Sequence, residues 1–229
     1  MTARDRLAAA LAILALIPPA ADAASAPASR HQIPVASDKA GDTLAVFYSG
    51  DGGWAALDQG VSRYLADNGV PTLGVNSLSY FSTRRSADGA AQDLAEALRD
   101  YGDRWNRPNV VLIGYSFGAG ALPAIVPRLP ADARSRVSRV ILIGTGSHGA
   151  LRFHPTSWLN IPTPDTFRVR PALEALTGVK ITCVYGDRER ADICASLPDA
   201  RIAKIRLKGD HHFNRDYATL GEAVLRASR

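Results

Sequence analysis

A serine lies between two glycines in Gly114-Tyr115-Ser116-Phe117-Gly118, directly after the apolar run Val110–Ile113. Where a buried strand turns sharply into a helix, such a serine presents its hydroxyl above the sheet edge as a nucleophile. At its free pKa the hydroxyl is weak, so it needs a base, itself oriented by an acid. Two adjacent imidazoles, His211 and His212, occur in LKGDHHFNRDY near the C-terminus, after the last strand-like run. His211 directly follows Gly-Asp and is favoured, with His212 as the alternative. The loop after VKITCVYG carries three carboxylates: Glu189, three residues past Gly186, ranks first, then Asp192, then Asp187. A tetrahedral oxyanion needs two preorganised donors. Phe117 N–H is one candidate, and the glycine-rich turn FYSGDGGW offers Asp51 and Gly52 for the other. No further ligand stands at metal-motif spacing from the histidine pair, so the expected chemistry uses neither a metal nor a cofactor.

These groups meet only if the chain folds so that strand ends share one edge. TLAVFY (43–48), VPTLGV (70–75), NVVLIG (109–114), RVILIG (139–144), VKITCVY (179–185) and RIAKIRL (201–207) read as strands. Several are unbroken Val/Ile/Leu runs, as in a parallel sheet covered on both faces. Helical periodicity separates them: Leu57, Val61, Tyr64 and Leu65 share one face, as do Leu94, Ala95, Leu98 and Tyr101, and later Tyr217, Leu220 and Val224. This alternation predicts a doubly wound α/β sandwich with a mostly parallel sheet. A helix is predicted from Phe117 to Leu129, with Pro123 accommodated early or kinking it. Residues 145–171 contain four prolines and no sustained period. An irregular insertion of that length is read as a lid or binding loop.

The 229 residues suit one domain, and 46% hydrophobic with 21% charged residues excludes disordered and fibrous classes. Arg4 and Arg6 precede an Ala/Leu/Ile run, then Pro18-Pro19 and Ala21-Asp22-Ala23. That layout predicts a signal peptide over 1–23, a leader over 24–40 and the folded domain over 41–229, exported to the periplasm. Cys183 and Cys194 are expected to pair in that oxidising compartment, pinning the loop of candidate acids. The net charge of +5 is mainly arginine, and the basic residues are dispersed without aromatic interleaving. Nucleic acid is therefore not an expected partner.

FYSGDGGW, SLSYF (77–81), GYSFGAG, FHPTSWL (153–159), VYGDRERADIC (184–194) and LKGDHHF (207–213) together resemble the VirJ/AcvB family of periplasmic virulence-associated α/β-hydrolases. The resemblance spans nearly all of the chain after its leader. It implies the α/β-hydrolase fold and a serine esterase acting on aminoacylated phosphatidylglycerol, chiefly lysyl-phosphatidylglycerol, at the membrane surface. Its nucleophile falls on Ser116 and its histidine on the His211/His212 pair, while the RERAD spacing departs from the family's pattern at the acid. Trp54, Tyr80, Phe81 and Trp158, with Asp51, are then expected around a cationic aminoacyl head. A non-catalytic secretion-associated binding factor and a small-molecule carboxylesterase or thioesterase are the alternatives.

Overall fold

Alternate residues of each apolar strand enter opposite cores, and this period of two sets the architecture. A computed structural model describes residues 28–154 and 163–229. The first half comprises β1 (Gln32–Val35), β2 (Thr43–Tyr48), α1 (Ala56–Asp67), β3 (Thr72–Val75), α2 (Ser77–Tyr80), α3 (Ala87–Arg104), β4 (Asn109–Tyr115) and α4 (Phe117–Ile125). The second comprises α5 (Ala131–Arg136), β5 (Val137–Ile143), β6 (His148–Gly149), β7 (Phe167–Arg168), α6 (Val169–Ala175), β8 (Lys180–Gly186), β9 (Ile202–Leu207) and α7 (Tyr217–Ser228). Leu44, Val46, Val110, Leu112, Val140 and Leu142 pack with α3, α4 and α6 on one side. Ala45, Phe47, Val111, Ile113, Ile141 and Ile143 pack with α1 and α7 on the other. Each Val, Leu, Ile or Phe among them contributes about 1.5–3 kcal/mol when fully buried, which fixes the central strands firmly.

The main sheet has the order β1-β3-β2-β4-β5-β8-β9. All its pairings are parallel except β1 with β3. Its register aligns the strand exits: Tyr48 faces Gly114, Tyr115 faces Ile143, Ile143 faces Val184 and Gly186 faces Leu207. The loops after β2, β4, β5, β8 and β9 therefore open on one edge, where ligands of open α/β sheets bind.

Three features differ from the sequence expectations. Residues 32–35 of the expected leader form an antiparallel edge strand, where Pro34 is tolerated because edge positions need fewer ladder bonds. Helix α4 stops at Ile125 and passes into a 3₁₀ turn over Val126–Arg128, short of Leu129. Pro123 lies inside α4 and removes one amide from its ladder. The third concerns the 145–171 insertion, whose base is closed by β6 pairing with β7, His148 opposite Arg168 and Gly149 opposite Phe167. Its first arm is also tied to the 77–85 segment, through Phe153 N–H to Phe81 O at 2.7 Å and Arg85 N–H to Leu151 O at 2.9 Å. Among the described residues no helix is long and apolar enough to cross a membrane.

Candidate active site

Ser116 occupies the corner between β4 and α4 at φ 52° and ψ −110°. A non-glycine residue there is strained by about 1–3 kcal/mol and persists only where its surroundings dictate it. They do: Ser116 N–H donates to Ile143 O at 2.8 Å, Gly118 N–H to Ser49 O at 3.2 Å and Gly120 N–H to Ser116 O at 3.0 Å. The flanking glycines are demanded by contact, since a Cβ on Gly114 would meet Gly118 C at 2.6 Å and one on Gly118 would strike Tyr48 O.

A cavity of about 1120 Å³ opens at this corner, lined by Ser116, Phe117, Asp51, Gly52, Glu189 and His211 among others. His211 Nδ1 and Glu189 Oε1 are 2.5 Å apart, with the Glu189 side chain 6% exposed and the imidazole 34% exposed. Glu189 Oε2 is buried with no hydrogen-bond partner among the described residues. Burial is the largest influence on His211 and disfavours its charge. The Glu189 hydrogen bond and charge, with Asp51 and Asp192, together outweigh it, and the imidazole pKa lies above its ordinary value.

The three candidate acids have separate places. Asp192 Oδ2 accepts Thr145 N–H at 2.6 Å and Oδ1 accepts Cys194 N–H at 2.5 Å. With both oxygens bonded to backbone, Asp192 makes no hydrogen bond to His211. Burial pushes it up to about 7, helped by the Glu189 charge. Asp187 turns away, accepting Gly209 N–H at 3.0 Å and pairing with Lys208 at 2.8 Å. The loop itself is bound to its neighbours through Asp187 N–H to Leu207 O at 2.8 Å, Arg188 N–H to Gly209 O at 2.9 Å and Ile193 N–H to Thr145 O at 2.9 Å. The Cys183–Cys194 disulfide, Cα–Cα 5.7 Å, closes its far end.

His212 is exposed, and its Nδ1 lies 3.0 Å from Tyr115 Oη rather than beside a carboxylate. Among the described residues the N–H groups of Phe117, Asp51 and Gly52 have no intramolecular acceptor, and all three residues line the cavity beside Ser116. The Ser116 hydroxyl likewise makes no hydrogen bond among the described residues, so the hydroxyl and the imidazole share the cavity without being joined.

The aromatic expectations are corrected. Tyr80 and Phe81 are 2% and 0% exposed and belong to the core under α3, with Phe81 against Phe117 at 5.2 Å between ring centroids. Trp54 packs edge-on to Phe47 and covers Gly74, whose missing side chain makes the room, and it does not line the cavity. Trp158 lies outside the described residues. Among the cavity residues that the sequence reading did not assign, Tyr115 and Asp58 bear most directly on the site. Tyr115, within the serine motif, stacks on His211 with centroids 5.1 Å apart. Asp58, 1% exposed, accepts Ala55 N–H at 3.0 Å and is pushed up to about 7 by burial. Its spacing after the turn, third in α1, was the available signal.

Residues 42–229 match a family model described as bacterial virulence protein (VirJ). No curated protein sequence matches the chain. Among solved structures, the esterase domain of a Rhodothermus marinus protein is similar at 16% identity and TM-score 0.57, over 84% of this chain and 89% of that one. An a/b serine hydrolase without lid from Xanthomonas campestris is similar at 13% identity and TM-score 0.55, over 86% of each chain. A thioesterase domain from the curacin biosynthetic pathway is similar at 14% identity and TM-score 0.54, over 85% of this chain and 94% of that one. The fold is that of the α/β-hydrolases.

Proposed function

The chain belongs to the VirJ family of bacterial virulence proteins, and from that premise we propose that it is a periplasmic serine ester hydrolase acting on the aminoacyl ester of lysyl-phosphatidylglycerol or a related aminoacylated phospholipid. The observation that carries this reading is the His211–Glu189 pair in the same cavity as a serine at a strained strand-to-helix corner.

Ser116 Oγ attacks the ester carbonyl while its proton passes to His211 Nε2. Glu189 accepts the Nδ1–H throughout, fixing the tautomer and stabilising the imidazolium that forms. The tetrahedral oxyanion takes the N–H of Phe117 and that of Asp51 or Gly52, at about 3–4 kcal/mol of barrier per donor. Collapse breaks the ester C–O bond, and the alcohol leaves with the proton from His211. Water then repeats the sequence on the acyl-enzyme, releasing the acid and restoring Ser116.

Support for a head-group substrate is the size of the cavity and its mixed lining, with Asp51 and Asp58 at one strand exit and Arg188, Arg190 and Arg215 from the loops after β8 and β9. Support for the periplasm is the disulfide, together with the composition of residues 1–23. A fluorophosphonate probe should label the purified protein and fail on Ser116→Ala. Incubation with a bacterial lipid extract should deplete aminoacylated phosphatidylglycerol in a Ser116-dependent manner. A folded protein that the probe does not label is a binding factor; one that is labelled but leaves these lipids intact has another ester as substrate.

A further inference from the structure

Glu189 holds one nitrogen of His211, and a single hydrogen bond leaves the ring free to tilt about it. Further restraints come from Tyr115. Its ring stacks on the imidazole at 29° with centroids 5.1 Å apart, and its hydroxyl lies 3.3 Å from His211 O and 3.0 Å from His212 Nδ1. Tyr115 is 6% exposed and leads directly into the serine, so one residue links the backbone of the nucleophile to the His211 ring and to the turn that carries it. Beside the stack, Gly144 at φ 61° leaves room for both rings; a Cβ there would lie 2.8 Å from His211 Cε1 and 3.6 Å from Tyr115 Cε2.

The turn that carries His211 needs such a hold. Phe213, Asn214 and Arg215 follow it at φ 52°, 52° and 63°. Consecutive left-handed residues other than glycine cost roughly 1–2 kcal/mol each, and they persist only when neighbouring contacts dictate them. Within the turn, Phe213 N–H donates to Asp210 O at 3.0 Å, Arg215 N–H to His212 O at 2.8 Å and His212 N–H to Asp210 Oδ1 at 2.9 Å. From outside the turn Tyr115 ties His211 and His212, while Arg188 donates to Asn214 Oδ1 at 2.5 Å further along. Its phenol stays protonated across the working range, because burial and then the charges of Asp58, Glu189 and Asp51 raise its pKa.

We propose that Tyr115 is the positioning residue of the base: its ring sets the plane of the His211 imidazole, and its hydroxyl, anchored on His212, fixes the turn so that Nε2 faces Ser116. The proposal rests on the reading of His211 as the base. His212 on this view is an anchor and takes no substrate proton.

The test measures kcat and KM on p-nitrophenyl acetate, and the titration of the His211 Cε1–H by NMR, for Tyr115→Phe, Tyr115→Leu, His212→Ala and the Tyr115→Phe/His212→Ala pair. Tyr115→Phe keeps the stack and loses the hydroxyl; kcat should fall about 10-fold with KM nearly unchanged, since small misplacements of a catalytic group are expensive. Tyr115→Leu loses both, and kcat should fall about 100-fold. In that variant the His211 titration should also move up, because the burial that disfavours its charge is relieved. His212→Ala should match Tyr115→Phe, with the double variant no worse than either. Wild-type kcat in Tyr115→Phe, or additive losses in the pair, would overturn the proposal, and the Phe variant carries the test if the Leu variant does not fold. Abolition of turnover by His212→Ala but not by His211→Ala would overturn the assignment of the base itself.

Discussion

Thr145 N–H donates to Asp192 Oδ2 at 2.6 Å, tying the end of β5 to the loop that carries Glu189. The two acids three residues apart thus have different work: Glu189 meets the imidazole, and Asp192 holds the backbone on which Glu189 is presented. Glu189→Gln should lower kcat about 10⁴-fold, the size of effect that follows loss of the orienting carboxylate. Asp192→Ala leaves two backbone N–H groups without acceptors and should lower stability by about 1–3 kcal/mol for each that stays buried. Asp192→Asn keeps one acceptor oxygen and should reduce kcat far less than Glu189→Gln does. Steady-state kinetics beside thermal melts separate the two; a larger kinetic loss at Asp192→Asn would reverse the roles.

The His211 pKa lies above its ordinary value, and in the proposed mechanism its neutral form is the base. As pH falls through that raised pKa the base is protonated, so kcat/KM should drop on the acid side with its midpoint above the ordinary imidazole value. Glu189→Gln removes the hydrogen-bonded carboxylate and leaves burial opposed only by the charges of Asp51 and Asp192, so the residual activity should show an acid limb displaced to lower pH. A pH profile of kcat/KM for both proteins checks this, and an unmoved midpoint in the variant would dissociate Glu189 from the titrating group.

Much of this arrangement was legible in the sequence because it depends on local signals. Apolar runs and their helical partners give the order of elements, and Gly114 and Gly118 announce an elbow whose close contacts no other residue would fit. The offset from Gly186 put Glu189 first among the three acids, but Asp192 and Asp187 stayed in contention because their partners, Thr145 N–H and Gly209 N–H, come from other strand exits. Tyr80 and Phe81 were expected around the head group because aromatic faces suit a cation. They are core because α2 turns them under α3, where Tyr80 Oη donates to Asp93 at 2.6 Å. The edge strand at 32–35 escaped notice because four residues containing a proline give too short a period, and its pairing with β3 is decided by register alone.

The disulfide joins Cys183 within β8 to Cys194 beyond the acid loop, with both residues fully buried. Replacing both by alanine should lower folding stability by about 3 kcal/mol, the chain-entropy value for so short a loop. It should also lower kcat more than it raises KM, because Glu189 loses one of the two ends that fix its loop. Urea denaturation and kinetics on the double variant check the two effects; full activity would show that the bonds to Thr145, Leu207 and Gly209 suffice without the crosslink.

Stability and activity should have opposite pH dependences. Asp58 and Asp192 are each pushed from 3.8 up to about 7, burial being the first cause in both. An acid whose pKa is higher folded than unfolded keeps its proton in the fold after the unfolded chain has released it. Its stabilising effect is complete below 3.8 and is lost progressively as pH rises to about 7. His211, also raised, acts in the same direction at higher pH. Asp187, Asp210 and Asp216 are lowered and act oppositely below 3.8, but Asp210 and Asp216 are exposed and Asp187 pairs with the exposed Lys208, so solvent screening keeps their share small. The melting temperature should therefore be highest at about pH 4–5 and decline toward pH 8, while turnover rises as His211 becomes neutral. Asp58→Asn keeps an acceptor for Ala55 N–H without ever taking a charge, so it should flatten the decline. A melting temperature that climbs from acid to neutral pH in the wild-type protein, or a slope that Asp58→Asn leaves unchanged, would remove Asp58 from this account.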